Sequence, residues 1–260
     1  MKKIVVFSGS PRKNGHTVQI AKKIEANMPY NIFEYVYLYD YKIHGCIGCK
    51  ACIKKDERAC PFKDDVHDLL VKLEQADGII FLSPTYSRTV TGQLKNFIDR
   101  TNFALHRPRL INIPLVTIAS TDIGMAKNVA NYLSVIGSSM GANVIGSLAV
   151  KMGMYYNNET YKSKIENHVI QISRQFEKTL ENDMDVIPTL KQLMRFTVWK
   201  TRAIVGKELY PNDYIYWEER NWIEKDFFTS VSIPLYKKII MKLLSKRLNK
   251  VIRTGIIYKD

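Results

Sequence analysis

The chain is short of long apolar runs, dispersed cysteines, the best-known phosphate fingerprints and negative charge. None of its 260 residues lies in a stretch approaching the roughly 18 uncharged apolar residues that cross a bilayer, so no membrane-spanning helix is expected. The opening apolar run, residues 4–7, gives way at once to Ser-Gly-Ser-Pro-Arg. That is too short for the core of a signal peptide, and a cytoplasmic protein is the expectation. The four cysteines all lie between Cys46 and Cys60, so they are not spread as the staples of a secreted fold. Neither Gly-x-x-x-x-Gly-Lys-Ser/Thr nor Gly-x-Gly-x-x-Gly occurs, which removes support from ATP hydrolysis and from a dinucleotide fold. No Ser/His/Asp set and no pair of carboxylates stands out as catalytic. Acids number 25 against 39 Lys and Arg. The net charge of +14 suits an anionic partner: nucleic acid, a membrane surface, or an acidic cofactor or protein.

What is present begins with a 46% apolar content, enough for a real core, and with the stretch from Lys3 to Thr17. Ile4, Val5, Val6 and Phe7 form an unbroken apolar run, which suits a strand buried on both faces of a parallel sheet. Ser8-Gly9-Ser10-Pro11 ends the run with turn residues, Asn14-Gly15 follows, and Thr17 opens a helical pattern through Val18, Ile20, Ala21 and Ile24. A strand that passes through such a loop into a helix N-terminus offers an anion unpaired N–H groups and the positive end of a dipole. Ser8, Ser10 and Thr17 add hydroxyls, and Arg12 adds a fixed charge. The stretch reads as a phosphate cradle; the plainer reading is a polar turn with Thr17 as helix cap.

Further along, residues 31–38 read as a strand, and Asp64-Asp65 caps a helix carrying Val66, Leu69, Leu70 and Leu73. Residues 78–82 and 113–119 are two more short buried strands, and 143–150 is the last. Helices fit between them, one bearing Leu94, Phe97 and Ile98 up to Asp99-Arg100, another spanning about 126–136. Asp99-Arg100 reads as a salt bridge at a helix end rather than a substrate contact. Five strands alternating with helices give an α/β sheet that is parallel by the right-handed crossover rule. Ligands of such sheets sit beyond the carboxyl ends of the strands. Three polar loops fall there: Ser8 to Thr17, Ser83-Pro84-Thr85-Tyr86-Ser87-Arg88, and Ser120-Thr121-Asp122-Ile123-Gly124.

Cys46-x2-Cys49-x2-Cys52-x7-Cys60-Pro61 is the strongest chemical signal. Compact Cys-x-x-Cys-x-x-Cys runs are typical of iron–sulfur ligation, which uses four thiolates. A four-cysteine zinc site and uncoordinated thiols are the alternatives. Lys50, Lys54, Lys55 and Arg58 favour thiolates, and Gly45 and Gly48 let the backbone approach closely.

Taken together, Gly9-Ser10-Pro11-Arg12-x-x-Gly15-x-Thr17, Ser83-Pro84-x-Tyr86 and Leu94-Lys95-x-Phe97-x-Asp99-Arg100 resemble the flavodoxin-like NAD(P)H-dependent FMN reductase family. The cysteine run before Asp64-Asp65 is similar to its iron–sulfur flavoprotein branch. The resemblance implies a doubly wound sheet of order 2-1-3-4-5, FMN, NAD(P)H as cosubstrate, and dimers or tetramers. It places the FMN phosphate on Ser8, Ser10, Arg12, Gly15, His16 and Thr17, with Pro11 also in the cofactor site. The loop of Ser83, Pro84, Thr85, Tyr86 and Ser87 would face the flavin ring and ribityl chain, joined by Ser120, Thr121, Asp122 and Gly124. A [4Fe–4S] cluster would sit on Cys46, Cys49, Cys52 and Cys60.

The expected division is a flavin-binding domain over 1–155, with its cysteine loop at 44–63, and a helical extension over 156–260. In the extension, 160–180 and 190–205 read as helices, and Tyr210, Tyr214, Tyr216, Trp217, Trp222, Phe227 and Phe228 suggest an apolar cap or lid. From Pro234 to Lys259 every charge is basic, on an amphipathic pattern. Packing on the chain's own domain or on a dimer mate is the plainer reading, and an anionic membrane surface the other. The expectation is an FMN-dependent oxidoreductase that takes electrons from a nicotinamide nucleotide or ferredoxin and passes them to a small-molecule or protein acceptor. No nucleic-acid partner is expected. The rival is a non-catalytic FMN-binding electron-transfer or redox-sensing protein.

Overall fold

Ile4 to Phe7 are completely buried, as their unbroken apolar run demands of a strand covered on both faces. The computed structural model describes residues 1–181, 187–229 and 232–256. In chain order it holds β1 (Lys3–Ser8), α1 (His16–Ala26), β2 (Ile32–Tyr37), α2 (Ala51–Lys54), α3 (Val66–Glu74) and β3 (Gly78–Pro84). Then come α4 (Gly92–Arg100), α5 (Phe103–His106), β4 (Pro114–Thr121), α6 (Ala126–Ser139) and β5 (Asn143–Lys151). The chain continues through α7 (Met152–Asn157), α8 (Glu159–Glu181), α9 (Leu190–Val205), α10 (Pro211–Glu219) and α11 (Leu235–Ile256). No helix among the described residues is long and apolar enough to cross a membrane.

Two compact units result: Met1–Ile47 with Asp64–Asp183, and Gly48–Lys63 with Met184–Asp260. They group residues differently from a cut at 155. The apolar stripe of α8 belongs with the sheet, and the cysteine segment from Gly48 onward belongs with the later helices.

The first unit carries a five-stranded parallel sheet of order β2-β1-β3-β4-β5. The winding direction reverses at β1 and β3, which opens a crevice at their carboxyl ends. Alternate residues serve opposite faces. Ile4, Val6, Ile80, Leu82, Val116 and Ile118 meet α1 and the Ile165, Val169, Ile172 and Phe176 stripe of α8. On the other face Phe7 packs against Phe81 and against Phe97 of α4, with ring centroids 5.7 and 4.7 Å apart.

Most strand ends lie within two residues of expectation, and α6 runs on to Ser139. Helix α1 starts at His16, not Thr17, with Gly15 as its N-cap. Three short helices were not expected: α2, α5 and α7. Four to six residues are too few for a 3.6-residue period to register.

The two aspartates before α3 do more than cap it. Asp65 is the N-cap residue, but its carboxylate accepts the Lys42 N–H at 2.6 Å. Asp64 accepts the His44 N–H at 2.9 Å and a bidentate pair of bonds from Arg100 at 2.6 and 3.0 Å. Arg100 also donates to the His44 carbonyl at 3.1 Å, and Asp65 N–H to the Lys42 carbonyl at 3.1 Å. Both stems of the cysteine loop are thereby clamped together. Asp99, the expected partner in a helix-end pair with Arg100, bonds Lys95 one turn back at 2.6 Å.

In the second unit, α9 opens with a Thr189–Gln192 capping box, and α11 packs along it. The aromatic stretch packs on itself: Trp217 is fully buried among Phe196, Trp222 and Phe228, with centroids 5.1 to 6.0 Å apart. Asn212 of α10 donates to the Lys55 carbonyl, which ties α10 to the segment after α2. The expected basic residue Lys259 lies outside the described residues.

Arg100→Ala strands an Asp64 carboxylate whose side chain is 1% exposed, and we expect a loss of about 3–5 kcal/mol in urea unfolding. Burial opposes ionisation of Asp64, yet Arg100 and the His44 N–H hold its carboxyl below its ordinary 3.8. A lowered folded-state pKa means that this stabilisation is complete above the ordinary value and is lost as pH falls through the folded one. Unfolding midpoints from about pH 7 to about pH 3 should therefore fall at the acid end, and less steeply in Arg100→Ala.

Candidate active site

Register alone brings three loops to one edge. Ser8 lies opposite Leu82, Pro84 opposite Ser120, and Thr121 opposite Lys151, so the loops after β1, β3 and β4 leave the sheet side by side. Between them is a cavity of about 420 Å³, within the roughly 300–1,000 Å³ usual for small-molecule sites. Ser10, Arg12, Gly15, His16 and Thr17 line it from the first loop, Pro84, Thr85 and Tyr86 from the second, and Ser120, Thr121 and Asp122 from the third.

The serines of the first loop shape it rather than point outward. Ser8 Oγ accepts the Ser10 N–H at 3.2 Å. Ser10 Oγ accepts the Arg12 N–H and donates to the Arg12 carbonyl, both at 3.1 Å. Gly9 is a close-approach position: a Cβ there would stand 2.9 Å from Leu94 and 3.0 Å from Thr91 Oγ1. Thr91 Oγ1 instead donates to the Gly9 carbonyl at 2.7 Å. Thr17, expected as a free donor or a cap, shares a short hydrogen bond with Ser120, which pins α1 to the end of β4.

The first rung of α1 runs from Gln19 N–H to the Gly15 carbonyl, so the N–H groups of His16, Thr17 and Val18 precede the ladder. They and the exposed Arg12 form the electropositive side of the cavity. The His16 ring stacks edge-on against Tyr156 at 5.3 Å, and Tyr156 donates to Gln19 at 3.2 Å. Behind α1, Glu166 accepts from Lys23 at 3.1 Å and Tyr155 at 2.9 Å. Those two donors hold the Glu166 carboxyl below its ordinary value, and burial raises the Tyr155 hydroxyl.

Ser8, Pro11, Ser83, Ser87 and Gly124 do not line the cavity. Ser83 is turned inward, accepting the Thr91 N–H at 3.2 Å and donating to the Pro84 carbonyl at 2.7 Å. Ser87 and Arg88 form the tip of a two-residue turn closed by Tyr86 and Thr89 at 2.9 and 3.0 Å. Both tip residues have positive φ, 48° and 71°, without being glycine. Ile123, from the third of the expected loops, lines the cavity, and Met152 does so unannounced. Met152 arrives because β5 runs beside β4 to Lys151, a register with no local signature.

The cysteines are placed differently. Cys46 belongs to the first unit, and Cys49, Cys52 and Cys60 to the second. Among the described residues no three His, Cys, Asp or Glu side chains are gathered to hold a metal ion. The donor chemistry of four thiols fits an iron–sulfur cluster. Gly48 is in the left-handed region at φ 70° with nothing within 4 Å of a Cβ, and the nearest atom to a Gly45 Cβ is 3.8 Å away. Backbone conformation at Gly48, rather than close approach at either glycine, is what the loop uses.

A doubly wound parallel sheet with a hydroxyl- and arginine-bearing cradle at its switch point defines a flavodoxin-like flavoprotein class. The sequence model of the family described as NADPH-dependent FMN reductase matches residues 2–157. The chain is 31% identical over 232 residues to an iron–sulfur flavoprotein of Clostridioides difficile, covering 85% of this chain and 99% of that one. It is also 31% identical over 232 residues to an iron–sulfur flavoprotein of Archaeoglobus fulgidus, covering 85% and 100%. Among solved structures, a flavone reductase superposes with a TM-score of 0.54 at 16% identity, over 69% of this chain and 63% of that one, a likeness of fold. The chain belongs to the NADPH-dependent FMN reductase family, and it is an FMN-dependent oxidoreductase.

Ser87→Gly and Arg88→Gly should each raise stability in urea by about 0.5–1 kcal/mol, because relief of the left-handed backbone exceeds the added chain entropy. A loss of stability in both variants would show that side-chain contacts hold the turn.

Proposed function

We propose that the chain oxidises NAD(P)H and passes the electrons on through an FMN whose phosphate lies against Arg12 and the N–H groups that open α1. The observation that carries this reading is the convergence of three strand-end loops on one cavity, with an open helix N-terminus on one side. Thr85 Oγ1 supports it further: it is a buried hydroxyl at the cavity with no hydrogen-bond partner in the protein, as a residue awaiting a ligand would be.

When bound, FMN supplies the two-electron chemistry, and the protein supplies binding, orientation and electrostatics. Arg12 and the α1 dipole stabilise the phosphate dianion. Thr85, Tyr86 and Thr121 would border the rest of the flavin, and the Asp122 carboxylate would be available to accept from its ribityl hydroxyls. Met152 and Pro84 give that wall apolar surface. Ser8, Ser83 and the Thr17–Ser120 bond act indirectly, by holding the loops in register. A homodimer or tetramer, and a functional division into 1–155 and 156–260, belong to the same proposal.

The [4Fe–4S] reading is part of it as well. Its support is the spacing of Cys46, Cys49, Cys52 and Cys60 and the relatives named iron–sulfur flavoproteins. Iron and sulfide content after anaerobic reconstitution decides between cluster, zinc and bare thiols.

Arg12→Ala should weaken FMN binding by about tenfold or more in fluorescence titration, the worth of a charge-assisted phosphate contact. The FMN-loaded protein should oxidise NADH or NADPH in steady state with a quinone or ferricyanide. Tight FMN binding without turnover would favour an electron carrier or redox sensor; no FMN binding would remove the proposal.

A further inference from the structure

The second unit has a cavity of its own, of about 500 Å³, between α9, α11 and the segment before α11. Its walls are apolar: Leu193, Phe196 and Ile204 of α9, Ile233, and Met241 of α11. Its polar edge is cationic, with Lys200, Lys225, Lys238, Lys242 and Lys246. Asp226 is the one acid lining it among the described residues, and it is already engaged with Lys238 at 3.0 Å. We infer that this cleft binds an anionic amphiphile, a phosphate or carboxylate head on an apolar body.

The chemistry follows from what the cleft leaves unbalanced. Five lysines line one cleft and repel one another, while the only acids acting there among the described residues are Asp226 in the lining and Glu224 near Lys200. Lys200 is half-buried, and its ammonium donates to the Lys225 carbonyl at 2.7 Å. Burial lowers its pKa while Asp226 and Glu224 pull it back, so an anion nearby would favour its charged form. Thr197, Thr201, Ser245 and Asn249 add neutral hydrogen-bonding groups to the same lining. Free phosphate would leave the apolar walls unused, and an uncharged hydrocarbon would leave the ammonium groups unmatched.

Such a ligand comes from solution or from a bilayer. The outer side of α11 bears on the second source. Met241, Leu244, Leu248 and Ile252 are half-buried, whereas Leu235, Ile239 and Leu243, spaced one turn apart, are exposed with Tyr236 and Ile240. The helix Leu235–Ile256 carries seven Lys and Arg and no acid. A second copy of this helix would set like charge against like; an anionic lipid surface would not.

The test uses the full-length FMN-loaded protein, with dodecyl phosphate and inorganic phosphate in calorimetry and with phosphatidylglycerol and phosphatidylcholine vesicles in sedimentation. We expect dodecyl phosphate to bind and inorganic phosphate to bind at least about tenfold more weakly. Lys200→Gln/Lys242→Gln should weaken dodecyl phosphate by about tenfold or more while leaving NAD(P)H turnover unchanged. If that variant loses its helical circular dichroism, Lys238→Gln/Lys246→Gln is read in the same way. Phosphatidylglycerol-selective sedimentation abolished by Ile239→Asp/Leu243→Asp identifies a bilayer lipid. Dodecyl phosphate binding without sedimentation identifies a soluble amphiphile. Absence of dodecyl phosphate binding, or binding indifferent to the folded lysine variants, overturns the assignment.

Discussion

β1 is hydrogen-bonded along both edges and buried on both faces, so its loop can meet a ligand only where the strand ends. That one constraint organises the first unit. A central strand must be wholly apolar, and the polar groups displaced from it collect in the loop that follows. Strands β3 and β4 end at the same level, and the one hydroxyl in mid-strand, Thr117 of β4, is buried with hydrogen bonds to Ser134 and Ser147. The cavity is thus a consequence of parallel pairing, and the Thr17–Ser120 hydrogen bond joins its first and last walls.

The cysteine loop shows a different use of charge. Its stems are held by Asp65 near the surface and by the buried Asp64–Arg100 pair, in which each ion and the His44 N–H offset the desolvation of the others. Holding the stems still leaves residues 46–60 to adopt their own arrangement, with Gly48 in the left-handed region. The chain that carries this loop belongs to the NADPH-dependent FMN reductase family.

The second unit applies the same physics to another purpose. Its aromatic side chains bury one another around Trp217, which gives α9 and α10 a core independent of the sheet. Helix α11 then has two apolar sides, one packed along α9 and one left to solvent between lysines. The plainer expectation was packing on the chain's own domain or on a dimer mate, and the side along α9 is the part of it seen within one chain.

Much of this was legible in the residues. Ile4 to Phe7 announced a doubly covered strand, the helix Leu190–Val205 was placed correctly after Pro188, and the three polar loops were recognisable as strand ends. These are local matters, because apolar period, caps and turn residues act over a few positions. Which loop hydroxyls face a ligand and which hold the backbone, why Met152 and not Gly124 borders the cavity, and that Arg100 pairs with Asp64 rather than with its neighbour Asp99 were decided only by tertiary structure. The reason is physical: strand register and helix packing set distances between residues far apart in the chain, and a hydroxyl or a carboxylate bonds whatever those distances bring within about 3 Å.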